Sequence, residues 1–332
     1  MRSLGNTSIK INRVGFGGLP IQRITQEETN VIIKELIKQD VNFIDTARGY
    51  TVSEEYLGNA LEGIRNKFFI ATKSMSRDYD GMKKDIDISL KNLKTDCIDL
   101  YQCHVVKPHE FEIILNENGA YKALLEARDE GKIKHIGITS HSIETIEKVL
   151  ETDKFETIQF PYNIIENQAE EILKIANKKG IGTIIMKPLA GGAITDATLA
   201  IKYILNKEYI DVVIPGMDKV EQVKQNVDAS INRELTEEDN NKIEEIKLLF
   251  GKHFCRRCEY CLPCPKNINI PQCFLLEGYY SRYNLKDWAV KRYSQLSAKA
   301  SECIECGLCE SRCPYELPIR EMLKNTVDKL ER

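Results

Sequence analysis

Eight of the eleven cysteines fall into two short runs. Cys255, Cys258, Cys261 and Cys264 lie three residues apart and precede Pro265, and Cys303, Cys306, Cys309 and Cys313 precede Pro314. Sulfurs spaced in this way wrap an inorganic core. The second run matches the iron–sulfur spacing C-x2-C-x2-C-x3-C-P, in which three thiolates hold one 4Fe–4S cubane and the fourth reaches the other cubane. Zinc also takes four thiolates, but its sites pair two separated C-x2-C knuckles rather than two unbroken runs of four. Two 4Fe–4S clusters are therefore expected. With cross-ligation, one cluster takes Cys255, Cys258, Cys261 and Cys313, and the other takes Cys303, Cys306, Cys309 and Cys264. The first run is one residue shorter between its third and fourth cysteines, which leaves open that Cys264 closes the cluster of its own run. Cys97, Cys103 and Cys273 lie outside both runs and read as buried structural thiols.

A second set of groups suits proton transfer. Asp45, Lys73 and His104 each end a short apolar run, and Tyr50 follows Asp45 by five residues. A phenol, with an ordinary pKa of about 10, is a poor acid at neutral pH, and an ammonium held beside it by a carboxylate lowers that value. An acid, a lysine, a phenol and an imidazole brought together can hand a proton to a reacting oxygen.

The elements that would bring them together are legible as a regular alternation. Apolar runs at 14–18, 41–45, 68–73, 98–104, 135–139, 157–160, 182–186 and 211–214 predict strands. Stretches with helical apolar spacing at 27–39, 53–64, 82–93, 121–130, 143–150, 169–178, 197–206 and 220–230 predict helices between them. Eight strand–helix units predict an α/β fold, a (β/α)8 TIM barrel, whose catalytic groups project from the C-terminal ends of the strands. Asp45, Lys73 and His104 occupy such ends. Residues 2–12, with Gly5 and Asn6 at a turn, predict a hairpin closing the barrel bottom. Gly15, Gly17 and Gly18 do not form a dinucleotide fingerprint, because Pro20 stands at the third glycine position. A polar helix at 237–249, with Thr236 as N-cap, leads to a boundary near Gly251. The expected domains are thus a barrel at 1–250 and a small, mainly α-helical, ferredoxin-like iron–sulfur domain at 251–332.

Phe43-Ile44-Asp45-Thr46-Ala47-Arg48-Gly49-Tyr50, with Ser53-Glu54 and Leu57-Gly58, then Ala71-Thr72-Lys73, then Asp99-Leu100-Tyr101-Gln102-Cys103-His104, resembles the aldo-keto reductase family over roughly residues 1–230. The whole chain resembles the branch of that family with a C-terminal ferredoxin-like tail. The resemblance implies a catalytic tetrad of Asp45, Tyr50, Lys73 and His104, in which Tyr50 protonates the oxygen of a carbonyl that accepts hydride and His104 orients that oxygen. It also implies nicotinamide contacts from Ser140, His141 and Gln159, contacts to the ring and pyrophosphate from Met186, Lys187, Pro188 and Leu189, and an adenosine end at Pro215, Gly216, Gln222 and Asn226. Met186 stands where many members stack an aromatic ring, and Gln222 stands where some place an arginine on the 2′-phosphate. Both NADP(H) and NAD(H) therefore remain open.

The bulk composition agrees with one barrel and one small domain: 332 residues, 42% hydrophobic and 29% charged. No apolar run approaches the roughly 18 residues that span a bilayer, and the N-terminus lacks a secretion signal. No membrane partner and a cytoplasmic location are expected, in a reducing compartment that keeps thiolates available. Residues 252–332 carry 14 basic and 10 acidic side chains within a net charge of −3. Two cubanes with their thiolates would bring about −2 apiece and offset that excess, so no nucleic-acid partner is expected. The overall expectation is an oxidoreductase moving hydride between NADP(H) or NAD(H) and a small carbonyl or alcohol, with a fused electron-transfer module and a one-electron partner such as ferredoxin. Two alternatives are a reductase that such a partner drives through the clusters, and a nicotinamide-binding redox sensor. A pure sensor has no need of Tyr50 as an acid. Arg48 and Arg77, the arginines of the pocket loops, read as solvated or salt-bridged, and the substrate is not legible.

Overall fold

Strands form where apolar runs supply residues for two buried faces, and helices form where the apolar spacing gives one. The computed structural model describes residues 1–283 and 285–331. Eight parallel strands pair in chain order: β1 (Phe16–Gly17), β2 (Phe43–Asp45), β3 (Phe69–Ser74), β4 (Ile98–Cys103), β5 (Ile133–Thr139), β6 (Thr157–Pro161), β7 (Gly182–Met186) and β8 (Val212–Val213). Bridges from Val14 to Val213 and from Gly17 to Gly216 close the cylinder. Gly17 has to be glycine at this seam, because a Cβ would lie 2.8 Å from the Ile214 carbonyl oxygen and 2.9 Å from that of Pro215.

Helices α1 (Gln26–Lys38), α2 (Ser53–Ala60), α3 (Tyr79–Asn92), α4 (Ala120–Asp129), α5 (Ile143–Leu150), α6 (Glu170–Lys178), α7 (Ala197–Leu205) and α8 (Val220–Ile231) alternate with the strands. Their starts are written in the sequence: Thr25 and Glu28 form a capping box, and Asp78 and Asp196 accept from the backbone N–H three residues on. α2 stops at Ala60, short of the expected 64, as the chain turns toward left-handed Gly63 (φ 77°). A short helix at Phe111–Leu115 was not expected, since five residues carry too little periodicity to read.

The N-terminal hairpin pairs Arg2–Ser3 with Lys10–Ile11. It drives Leu4, Ile9 and Ile11, all fully buried, into one cluster with Phe43, Leu100 and Val212. Glu54 on α2 is also buried and accepts from Thr72 Oγ1 (2.8 Å), Ser89 Oγ (2.8 Å), Asn92 Nδ2 (3.2 Å) and Arg48 Nη1 (2.9 Å). Stripping one partner from a network of this kind costs about 3–5 kcal/mol.

The chain divides into two compact units. The first comprises Met1–Asn163, Asn167–Pro188 and Asp196–Leu235, and the second comprises Ile164–Glu166, Leu189–Thr195 and the chain from Thr236 onward. The second unit is helical, with α9 (Glu237–Phe250), α10 (Ile270–Ser281), α11 (Lys286–Ser294), α12 (Leu308–Ser311) and α13 (Ile319–Leu330). It contains an internal repeat longer than the cysteine runs. Left-handed residues recur at Arg257 and Glu259 in the first run and at Glu305 and Gly307 in the second, at matching steps from Cys255 and Cys303. They recur again three residues past each final cysteine, at Asn267 and Glu316. There Asn267 N donates to Cys264 O (2.8 Å) and Glu316 N to Cys313 O (3.2 Å), and each turn leads into a twelve-residue helix, α10 or α13. Ile270, Cys273, Leu276, Ile319 and Leu323 of these helices share one core. Among the aromatic residues between the runs, the Tyr279 and Trp288 rings pack edge to face at 5.0 Å.

Candidate active site

The ends of β2, β3 and β4 supply one group each. Asp45 closes β2 and is 2% exposed, and Lys73 near the end of β3 is 1% exposed. Lys73 Nζ donates to Asp45 Oδ1 and Oδ2, both at 2.7 Å, and to Thr46 O at 2.6 Å. A buried ammonium has three protons to satisfy, and these three acceptors match them. Burial pushes the Lys73 pKa down and the Asp45 pKa up, and the contact between them opposes both shifts. Lys73 Nζ lies 5.1 Å from the centroid of the Tyr50 ring, and that ring meets His104 edge-on at 5.9 Å. Asp45, Tyr50, Lys73 and His104 are therefore adjacent in space.

Gln102 and Gln159 complete the floor beneath Asp45. Gln102 Nε2 donates to Gln159 Oε1 (2.9 Å), and both amides act on the Asp45 carboxylate to hold its pKa down against burial. Gln102 had no role in the sequence reading. Its signal was a buried amide two residues before His104, hence on the same face of the strand.

His104 N donates to Ser74 O (2.8 Å), whereas Nδ1 is buried with no hydrogen-bond partner among the described residues. Burial first, then the cations of Lys73, Arg77 and Lys187, push its pKa down to about 2. The imidazole is thus neutral at working pH and has one N–H to donate. A histidine that ionises near its ordinary value when unfolded, but only near 2 when folded, contributes stability that is complete above about 6.5. That stability is lost as pH falls below this, by up to about 1.4 kcal/mol per pH unit. Between about pH 7 and pH 5, a His104→Gln protein is accordingly expected to lose less thermal stability than the parent; melting curves that fall in parallel would mean that the folded imidazole titrates normally.

The nucleotide-contact candidates occupy strand ends and the loops beyond them. Ser140 follows β5, fully buried, with Oγ donating to Val106 O (2.7 Å) and accepting from Ser142 N (3.0 Å); His141 comes next. Gln159 lies in β6 and Met186 ends β7. Lys187 is left-handed (φ 57°), and its carbonyl accepts from Asn163 Nδ2 (3.0 Å). Pro188 ends a segment of the first unit, and Leu189 begins a segment of the second. Pro215 and Gly216 follow β8. Gln222 Oε1 accepts from Asp218 N (2.7 Å) and Lys219 N (3.1 Å), so its carbonyl is spent on capping α8. Asn226 is buried, and its Oδ1 has no hydrogen-bond partner among the described residues, which suits an N–H donor of a bound ligand. Arg48 is salt-bridged to Glu54 (2.9 Å) and Asp85 (3.7 Å), and Arg77 to Glu110 (2.9 Å).

All eight cysteines of the two runs are free thiols. Backbone N–H groups point at sulfur at equivalent places in both: Arg257 N donates to Cys255 Sγ and Glu305 N to Cys303 Sγ, each at 3.4 Å. Such bonds stabilise the negative charge of a ligated cluster. Charge on Cys313 bears on Cys255 and Cys258, and charge on Cys309 bears on Cys261, so thiols of the two runs lie close to one another. Among the described residues no three of these thiols are already drawn into one ligand group. Donor type, loop geometry and amide–sulfur bonds fit iron–sulfur ligation.

Comparison with known proteins agrees with both halves. The Aldo/keto reductase family pattern matches residues 13–199 and 194–248, and the 4Fe-4S dicluster domain pattern matches 254–318. L-galactose dehydrogenase of Arabidopsis thaliana is 26% identical over 300 residues, covering 75% of this chain and 93% of that protein. Aldo-keto reductase YhdN of Bacillus subtilis is 32% identical over 214 residues, covering 58% and 63%. The holo form of aldo-keto reductase AKR11C1 from Bacillus halodurans superposes with a TM-score of 0.64 at 26% identity, over 74% of this chain and 95% of that one.

Proposed function

Because this chain belongs to the aldo/keto reductase family and ends in a 4Fe-4S dicluster domain, we propose that its barrel interconverts a small carbonyl and the corresponding alcohol with NADP(H) or NAD(H), Tyr50 serving as proton donor. The buried Asp45–Lys73 pair beside Tyr50 carries this reading. An ammonium held by a carboxylate within a low-dielectric floor favours the phenolate, and so makes the phenol a better acid. Neutral His104 presents an N–H rather than a charge to the substrate oxygen, which orients it without competing for the proton. Gln102 and Gln159 hold the carboxylate so that it serves Lys73 rather than solvent.

Bound nicotinamide supplies the hydride. Ser140, His141 and Gln159 would hold its amide, with Met186, Lys187, Pro188 and Leu189 along the ring and pyrophosphate. Pro215, Gly216, Gln222 and Asn226 would hold the adenosine end, where the unmet Asn226 Oδ1 suits an amino group. The cysteines of residues 251–332 would ligate two cubanes, which pass electrons one at a time. Hydride carries two electrons together, so this module serves exchange with a one-electron partner such as ferredoxin rather than the simple NADPH-to-carbonyl step. No helix among the described residues is long and apolar enough to cross a membrane, and a cytoplasmic setting is part of the same proposal.

Anaerobic steady-state assays with NADPH or NADH as sole reductant, across a panel of aldehydes and ketones, test this reading. Carbonyl-dependent oxidation of the nucleotide is the expected result. Turnover driven by a reduced viologen but never by nucleotide would instead favour a partner-driven barrel.

A further inference from the structure

His104 must hold its ring still, yet its Nδ1 has no hydrogen-bond partner among the described residues. The ring inherits its aim from its own backbone. That backbone is unusual: Val105, the next residue, is β-branched and left-handed at φ 52°, a conformation that costs roughly 1–3 kcal/mol and persists only when neighbours impose it. Two neighbours do so, Thr139 and Arg77. Val105 N donates to Thr139 Oγ1 (2.7 Å), and Val106 N donates to Thr139 O (2.8 Å). On the other side, Arg77 Nη2 donates to both His104 O (2.9 Å) and Val105 O (3.0 Å), so a single guanidinium nitrogen spans the strained peptide.

Arg77 is itself built in. Its Nη1 donates to Met75 O (3.0 Å), and its charge is paired with Glu110 Oε2 at 2.9 Å. Its backbone is fixed by Ala120 N donating to Arg77 O (2.9 Å) and Tyr79 N to Asn118 O (2.8 Å). Glu110 in turn accepts from Lys107 N (2.9 Å). The side chain is 16% exposed and so largely withdrawn from any ligand.

We propose that Arg77 is a positioning residue for His104, its guanidinium clamping the left-handed His104–Val105 turn and thereby aiming the imidazole at the reacting oxygen. The role rests on the reading of His104 given above. Lysine keeps a charged nitrogen able to reach the two carbonyls but loses the rigid plane that ties that nitrogen to Nη1 and its bond to Met75 O.

A double-mutant cycle tests it, on full-length protein with NADPH and 4-nitrobenzaldehyde. Arg77→Gln is expected to lower kcat/KM for the aldehyde roughly tenfold, with the NADPH dissociation constant nearly unchanged and Arg77→Lys intermediate. In a His104→Gln background the same substitution is expected to change nothing further, because the residue it positions is gone. Thermal denaturation of each variant identifies those that remain folded, and Arg77→Lys carries the test if Arg77→Gln does not. Equal losses in both backgrounds would overturn the clamp and leave the role of His104 intact. A His104→Gln enzyme as active as the parent would instead sink the reading of the site, and the clamp with it.

Discussion

Replacing Tyr50 by phenylalanine is expected to lower kcat by about 100-fold or more while nucleotide affinity stays nearly intact. The substitution removes one oxygen and keeps the ring, so the edge-on contact with His104 at 5.9 Å and the Lys73 ammonium 5.1 Å from the ring centroid both survive. Only the acid is lost. Lys73 cannot substitute for it, because its donors are committed to Asp45 and Thr46. Neutral His104 is a far weaker acid than an imidazolium and cannot take over either. Single-turnover and steady-state measurements on the variant decide the matter: if chemistry keeps more than about a tenth of its parental rate, Tyr50 is not the proton donor.

Protein reconstituted without air is expected to bind about eight iron and eight sulfide per chain, since the two loops share both their left-handed positions and their N–H to sulfur bonds. Cross-ligation makes a sharper claim. Cys313→Ser should alter the same paramagnetic signal as Cys255→Ser and leave intact the signal that Cys303→Ser removes, as the C-x2-C-x2-C-x3-C-P spacing implies. About four iron per chain in the parent would mean that the shortened first run closes no cluster. Zinc without sulfide would end the iron–sulfur reading.

The barrel was legible because continuous apolar runs mark strands buried on both faces, and all eight were bounded to within two residues. β1 and β8 emerged as two-residue strands, since the seam between them is held by isolated bridges rather than a full ladder. Asp45, Lys73 and His104 could be found because barrel geometry makes strand ends chemical positions. Gln102 and Arg77 could not. What they do depends on groups brought close only by strand register and loop packing, and a polar residue in a strand or an arginine in a loop carries no partner in its letter. The spacing of the cysteine runs was legible, whereas the repeat extending through Asn267 and Glu316 into paired helices is written in backbone angles that dissimilar residues share.

The seam has a consequence for how the chain is made. β1 has one neighbour near in sequence, β2, and its other edge waits for the segment around Val213 and Gly216. The hairpin at the N-terminus likewise finds its anchor late, with Asn6 N donating to Gly180 O and Gly5 lodged against Gly182. During synthesis on the ribosome, the chain must emerge as far as Gly182 before the hairpin contact exists and as far as Gly216 before the seam does, and until then an unpaired strand edge and the apolar residues Leu4, Ile9 and Ile11 are exposed to other nascent chains. Residues 4–17 are thus made well before the segments that bury them, and the interval until barrel closure is when their apolar side chains are most open to aggregation.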